Sequence, residues 1–411
     1  MNLSRKKIGL LHYSMPPVVG GVENILAHHA RLMTEAGHSV RLIAGRGDDA
    51  KGSIPFYQVP LADSRHPDVL AAKMQLDQGI VPSNFEQLVQ QIEQGLATAV
   101  SNLDILIAHN ICSLHKNLAL TAALRRLCAQ PDAPRLIMWH HDFAWTAVNY
   151  QAELHPGWPW QLLKEDWPDV QPTHVVVSQW RQQEMIALFH LPTDSIRVIP
   201  SGLNTDKFLK LEPETAELLT RLSYQEAAPR LLLPVRITRR KNIELAIRTT
   251  AALRQIMPHA SLIITGPPGP HNPSNQDYFT NLRQLRDSLN AQNHIHFLAE
   301  QYDNYLPDAV IADLYRLADA LILPSREEGF GIPMLEAGLV GLPIFCTDIA
   351  PLRELGGENA TYFSPDSDPT DLAAIVAAKL QNDALYQQRV HIRNHYTWPS
   401  IYRQRIAPLL E

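Results

Sequence analysis

The chain has 411 residues, a hydrophobic share of 45%, and 42 acidic against 36 basic side chains, giving a net charge of −6. That length exceeds the size at which a single core stops growing, so two domains of about 200 residues are expected. With 16 Lys and Arg against 18 Asp and Glu up to residue 200, neither half carries a basic footprint, and no nucleic acid or strong membrane partner is expected.

The first apolar run, Lys7–Tyr13, predicts a strand. Its apolar stretch is far shorter than a signal-peptide core, and no later stretch is long enough to cross a bilayer, so a cytoplasmic location is expected. Gly20 and Gly21 follow, ahead of a helix predicted over Val22–Ala36. Paired glycines let backbone approach a ligand, and the helix start beyond them adds the positive end of a dipole. Strands are then predicted at Ser39–Ala44, Asp104–His109, Arg135–His140, Val175–Ser178 and Ile196–Ile199, with helical patterns between them, which argues for a parallel sheet with crossover helices. Asn110 and Cys-Ser-Leu-His-Lys-Asn follow one strand end, which makes His115 and Lys116 candidate ligand contacts. His140, His141 and Asp142 close another; His140 is expected to pack, and His141 is the functional candidate. Residues 145–172 hold Trp145, Tyr150, Trp158, Trp160 and Trp167, suited either to stacking on sugar rings or to a packed core or lid. Cys112, Cys128 and Cys346 are too scattered for a disulfide framework and read as buried spectators.

Residues 198–208, Val-Ile-Pro-Ser-Gly-Leu-Asn-Thr-Asp-Lys-Phe, break the pattern before a second series of strands at Leu231–Val235, Ala260–Thr265, Ile295–Leu298, Ala320–Leu323 and Pro343–Cys346. Arg236 and Lys241 sit just past the first of these, where open α/β sheets bind ligands. Arg offers a planar fork to phosphate oxygens and Lys a compact charge; Arg239 and Arg240 between them are assigned to solvent. Gly266 ends the next strand, before a loop rich in Pro and Asn. In residues 325–345, Pro333 suits a first helical turn, so a helix is expected from near Ile332 toward Val340. The amides of Gly329, Phe330, Gly331 and Ile332 then face an anion such as a diphosphate. Glu328 lies before that helix and Glu336 one turn inside it; two carboxylates are compatible with a phosphate cradle where they face sugar and ribose hydroxyls. Asp366-Ser-Asp368 sits in a polar loop beyond this stretch and is expected to face solvent, so no metal is read there.

Glu-x7-Glu inside Glu-Gly-Phe-Gly-Ile-Pro-Met-Leu-Glu-Ala-Gly, after a strand ending Leu-Ile-Leu-Pro-Ser and before Gly-Leu-Pro-Ile-Phe-Cys-Thr-Asp, resembles the donor-site signature of the GT4 family of retaining glycosyltransferases. The resemblance implies an α/β architecture of GT-B fold, two Rossmann-like domains facing across a cleft. It assigns 1–203 to an acceptor domain, 204–390 to a nucleotide-sugar donor domain, and 391–411 to a helix crossing back onto the first. Catalytic roles fall on His141, Arg236, Lys241 and Glu328, and binding roles on Gly20, Gly21, Gly266, Gly329, Phe330, Gly331, Ile332 and Glu336, the last toward the ribose. The implied reaction is metal-independent transfer of a hexose, from UDP-glucose or GDP-mannose, to a hydroxyl of a small hydrophilic or glycan acceptor with retention of configuration. No cofactor is expected. Ser201 and Val235 depart from the family pattern, where Asn and Gly are usual. A nucleotide-sugar epimerase and a non-catalytic nucleotide-sugar-binding protein share the fold; only Glu328 is placed for the proton chemistry an epimerase needs, and a bare binding module does not require the full set of charged residues.

Overall fold

The predicted apolar runs become strands in the computed structural model, which describes residues 4–48, 54–222, 224–269, 274–302 and 306–411 and holds thirteen strands among them. The chain divides into two compact units, one of residues 1–203 with 396–411 and the other of 204–395.

The first unit holds β1 (Lys7–Ser14), β2 (Ser39–Arg46), β3 (Phe56–Gln58), β4 (Ile105–His109), β5 (Arg135–His140), β6 (Thr173–Val176) and β7 (Ile196–Val198). They form one sheet in the order β3-β2-β1-β4-β5-β6-β7, and every pair is parallel. Parallel strands need crossovers that cover both sheet faces, which is why β4 and β5 read as continuous apolar runs. Alternation then sends residues to two cores. Ile8, Leu10, Ile105, Ile107, Ile137 and Trp139 pack on one face; Leu11, Tyr13, Leu106, Ala108, Leu136 and Met138 pack on the other.

The helix Gly21–Glu35 covers the first face with Leu26, Ala30 and Met33. It starts at Gly20 with Glu23 in its first turn, where the dipole favours a carboxylate. It stops at Gly37, whose φ of +92° suits glycine, with Gly37 N–H donating to the Thr34 carbonyl and His38 N–H to that of Met33. The predicted strand at Val175–Ser178 begins and ends two residues earlier, because the Ser178 hydroxyl accepts from Arg181 N–H and caps the next helix.

Residues 396–411 complete this unit. Ile401, Ile406 and Leu410 are buried beside Ile8 and Leu10, and Leu203 N–H donates to the Tyr396 carbonyl at 2.7 Å. Gly202 lies flat against Trp398: an added Cβ would sit 2.4 Å from the indole. Its φ lies outside the left-handed region, so packing rather than flexibility explains the glycine.

The second unit repeats the plan with β8 (Arg230–Leu233), β9 (Ser261–Ile264), β10 (Ile295–Phe297), β11 (Ala320–Leu323), β12 (Ile344–Thr347) and β13 (Thr361–Phe363). Its order is β10-β9-β8-β11-β12-β13, again all parallel. Both sheets reverse strand order beside their first strand, at β1/β4 and β8/β11, and such reversals place ligands at the carboxyl ends of the strands. The three cysteines are buried and free.

Candidate functional site

In the second unit, β8 runs out into Pro234-Val235-Arg236. Gly266, two residues past β9, backs onto that segment so closely that a Cβ there would lie 2.3 Å from the Val235 carbonyl oxygen and 2.7 Å from Arg236 Cα. Gly266 N–H donates to Val235 and Ile237 N–H to the Pro267 carbonyl. Gly266 therefore has a packing reason of its own, holding in place the segment from which the exposed Arg236 projects. Residues 270–273 of the loop that follows lie outside the described residues.

A short turn, Arg239–Lys241, leads through Asn242 in the left-handed region (φ 50°) into the helix Ile243–Ile256. This turn aims Lys241 inward. Its Nζ donates to Glu328 Oε1 at 2.6 Å, and the pair is nearly dry, with side chains 11% and 8% exposed. The hydroxyl of Ser325, itself fully buried at the end of the β11 run, donates to the same oxygen at 2.7 Å. Thr347, the last residue of β12, donates to the Ser325 carbonyl at 2.5 Å. Arg240 was assigned to solvent; it is exposed, yet its guanidinium donates to the Glu327 carbonyl and stands 4.0 Å from Glu328 Oε2. Arg239 lies over the Tyr278 ring, 5.2 Å from its centroid.

The helix after Glu328 spans Ile332–Leu339, with Gly331 at its N-cap and Pro333 in its first turn. Gly331 has φ +112°, and a Cβ there would also meet Leu352 at 2.7 Å, so glycine is required on two grounds. Gly329 and Phe330 are exposed, as is Ile332, leaving this turn open to a ligand. Glu336 is exposed one turn in and accepts from the Tyr315 hydroxyl at 2.5 Å. Burial, and then that carboxylate, pushes the Tyr315 hydroxyl above its usual range, so it donates throughout the neutral region. Asp368 caps the helix Pro369–Gln381 and Asp366 pairs with Arg326 at 2.7 Å; both are exposed.

In the first unit the candidates gather at the carboxyl ends of β1, β4 and β5. His141 follows β5 and is buried; its main-chain N–H donates to Asn110 Oδ1 at 2.7 Å, and its Nε2 lies 3.1 Å from His109 Nδ1. Burial, with His12 adding a smaller effect, lowers its pKa to about 3. His12 is likewise held to about 4, chiefly by burial. His140 packs as expected against Phe143, and its Nε2 meets His174 Nδ1 at 3.2 Å. Gly20 and Gly21 stand before the first helix as predicted; Glu23 beside them accepts from the Ser14 hydroxyl at 2.7 Å.

Packing decides two further readings of the first unit. His115, a candidate ligand contact, is instead turned inward: it is 3% exposed and its Nε2 lies 2.5 Å from Glu153. Trp160 and Trp167 are core residues with Trp145 and Tyr150 packed against the same core, which is the packed alternative of the aromatic segment. Asp77, His115 and Glu153 have ligand-type atoms within 4.8 Å of one another. The Lys73 ammonium already bonds both carboxylates, at 2.6 and 2.9 Å, and serves as their cation. Sequence reasoning missed Ser325, Tyr315, His12 and His109; Ser325 was legible as the last residue of Leu-Ile-Leu-Pro-Ser, whereas the others reach the site only through the fold.

The family model for Glycosyl transferases group 1 matches residues 221–395, and that for Glycosyltransferase Family 4 matches residues 19–207. Mannosylglucosylglycerate synthase from Petrotoga mobilis is 25% identical over 380 residues, covering 84% of this chain and 85% of its own. O-antigen chain mannosyltransferase B from Escherichia coli is 29% identical over 214 residues, 51% of this chain and 50% of its own. A solved structure of Anabaena Alr3699/HepE in complex with UDP and glucose covers 98% of this chain and 99% of its own at 19% identity and a TM-score of 0.36. No helix among the described residues is long and apolar enough to cross a membrane. With two doubly wound parallel sheets and a family match to each unit, the chain is an enzyme of GT-B fold and belongs to the GT4 family of glycosyltransferases.

Proposed function

We propose that the chain moves a hexose from a nucleotide-sugar to a hydroxyl of a small hydrophilic or glycan acceptor, with retention and without a metal. The observation that carries this reading is the Lys241–Glu328–Ser325 cluster beside the open helix start at Gly331. Cleaving the anomeric C–O bond leaves negative charge on the departing diphosphate, and fixed positive groups stabilise it as it develops. Arg236, Lys241 and the amides of the Gly329–Ile332 turn supply that charge in this reading. Glu328, which already holds Lys241, keeps the ammonium placed and offers its second oxygen to a sugar hydroxyl. Glu336, oriented by Tyr315, takes the ribose hydroxyls.

A diphosphate stabilised in this way can itself accept the incoming hydroxyl's proton on the face it leaves, so retention needs no separate base. Among hexoses the names of the relatives favour mannose, since both the synthase and the O-antigen enzyme are named for mannosyl products or transfer. GDP-mannose is therefore the first donor, with UDP-glucose second. The test is to incubate the full chain with each donor and a panel of small polyols, hydroxy acids and glycosides. Mass spectrometry then reports the sugar adduct, and NMR the anomeric configuration relative to the donor. A retained mannoside supports the reading; an inverted product removes the proposed proton route. An epimerised sugar nucleotide formed without acceptor replaces transfer with epimerisation.

A further inference from the structure

β1, β4 and β5 lie side by side, and alternation puts His12, His109 and His141 on the same sheet face as Leu10, Ile107 and Trp139. His109 is fully buried at the centre of this group and touches the other two in different ways. Its main-chain carbonyl lies 2.8 Å from His12 Nδ1, and its ring Nδ1 lies 3.1 Å from His141 Nε2.

The first contact fixes a proton by chemistry alone. A carbonyl oxygen only accepts, so His12 carries its proton on Nδ1 and leaves Nε2 as a bare acceptor. The second contact is decided by His109 Nε2, which is buried with no partner among the described residues. With the His109 proton on Nε2, an N–H would be stranded in the core, and buried orphan N–H groups are rare. A proton on Nδ1 leaves only a lone pair unpaired there. His109 Nδ1–H therefore donates to His141 Nε2, which puts the His141 proton on Nδ1. Among the described residues no hydrogen-bond partner engages His12 Nε2 or His141 Nδ1, and neither nitrogen is a buried unpartnered atom.

We propose that His109 is a positioning residue that sets two protons at once, so that His12 presents a bare Nε2 and His141 an Nδ1–H to the hydroxyl groups of a carbohydrate substrate. A hydroxyl both donates and accepts, and this pair offers one of each. The carbohydrate part rests on the transferase reading above; the proton positions do not. Because burial keeps His12 and His141 neutral well below pH 7, the two roles do not exchange near neutrality.

The experiment is long-range proton–nitrogen NMR on the full chain labelled with 15N-histidine at neutral pH, with His12→Asn, His109→Asn and His141→Asn used to assign the three rings. All three are expected as neutral Nδ1–H tautomers, against the usual solution preference for Nε2–H. A His141 ring protonated on Nε2, or a charged His12, overturns the assignment. His109→Asn, whose amide can still donate, should preserve the His141 tautomer. His109→Leu, which removes the donor to His141 Nε2, should move the His141 Nε2 shift from hydrogen-bonded to free and lower transfer kcat by about 10- to 100-fold, the order seen when a partner that orients a histidine is lost. An unchanged His141 Nε2 shift in His109→Leu ends the positioning role. Wild-type protein that shows the three tautomers yet transfers no sugar overturns the carbohydrate reading and leaves the proton assignment standing.

Discussion

Lys241 and Glu328 form a nearly dry ion pair, 2.6 Å between Nζ and Oε1, that ties the turn after β8 to the loop after β11. Removing one member leaves the other charged in a desolvated place, which typically costs about 3–5 kcal/mol. Lys241→Ala and Glu328→Ala are each expected to lower the denaturation midpoint of the second unit by that order. Lys241→Met with Glu328→Leu should cost much less than the sum. A double-mutant cycle by chemical denaturation measures the coupling, and additive single effects would mean that the pair is not formed in solution.

Two glycines of the same loop should respond differently. Gly331→Ala forces a side chain into φ +112° and against Leu352, with an expected loss of about 1–3 kcal/mol and a disturbed helix start. Gly329→Ala meets no atom within 4 Å and should change stability by less than about 0.5 kcal/mol. Thermal melts of both variants check this contrast; equal losses would place the strain elsewhere in the loop.

Gly202→Ala should destabilise the first unit by about 1–3 kcal/mol, the usual range for forcing a methyl group into a filled site. The methyl group would press on Trp398, which is 2% exposed. Adding Trp398→Leu to Gly202→Ala should cost less than Trp398→Leu alone plus Gly202→Ala alone, because the smaller ring-free side chain relieves the clash.

Mild acid should loosen the first unit through its buried histidines. His12, His29 and His141 have folded-state pKa values lowered from 6.5 to about 4, 3 and 3, mainly by burial. Below pH 6.5 the unfolded chain takes up protons that the folded chain refuses, so stability falls as pH drops from 6.5 toward about 4. Each such histidine contributes up to about 1.4 kcal/mol per pH unit in that window. Urea midpoints at pH 7, 6, 5 and 4.5 test the slope; His29→Phe, which removes a ring with both nitrogens unpartnered, should flatten it.

Much of this architecture was legible because parallel strands must be apolar on both faces, and runs such as Leu231–Leu233 and Ala320–Leu323 announce themselves. β3 and β13 were not, since three-residue edge strands such as Phe56–Gln58 are half exposed and carry no run to read. The helix at Ile332–Leu339 followed from Gly331 and Pro333. Arg236, Lys241, Glu328 and Glu336 could be named from spacing, but not that Lys241 would be spent on Glu328 or that Tyr315 would hold Glu336. His12 and His109 were hidden for another reason: among 18 histidines nothing local marks two that meet only when β1 and β4 become neighbours.

The most direct test of the donor site is a calorimetric titration of GDP, GDP-mannose, UDP and UDP-glucose into the full chain and into Arg236→Ala. Arg236 is exposed, so its loss should leave the melting temperature within about 0.5 kcal/mol of the wild type in stability terms. A charge-assisted contact to the diphosphate is worth about 1.5–3 kcal/mol, so one nucleotide family should bind the wild type and lose about tenfold or more in affinity in the variant. Equal binding by both proteins, or no binding of any of the four ligands, would contradict the assignment of the β8 end as the diphosphate site.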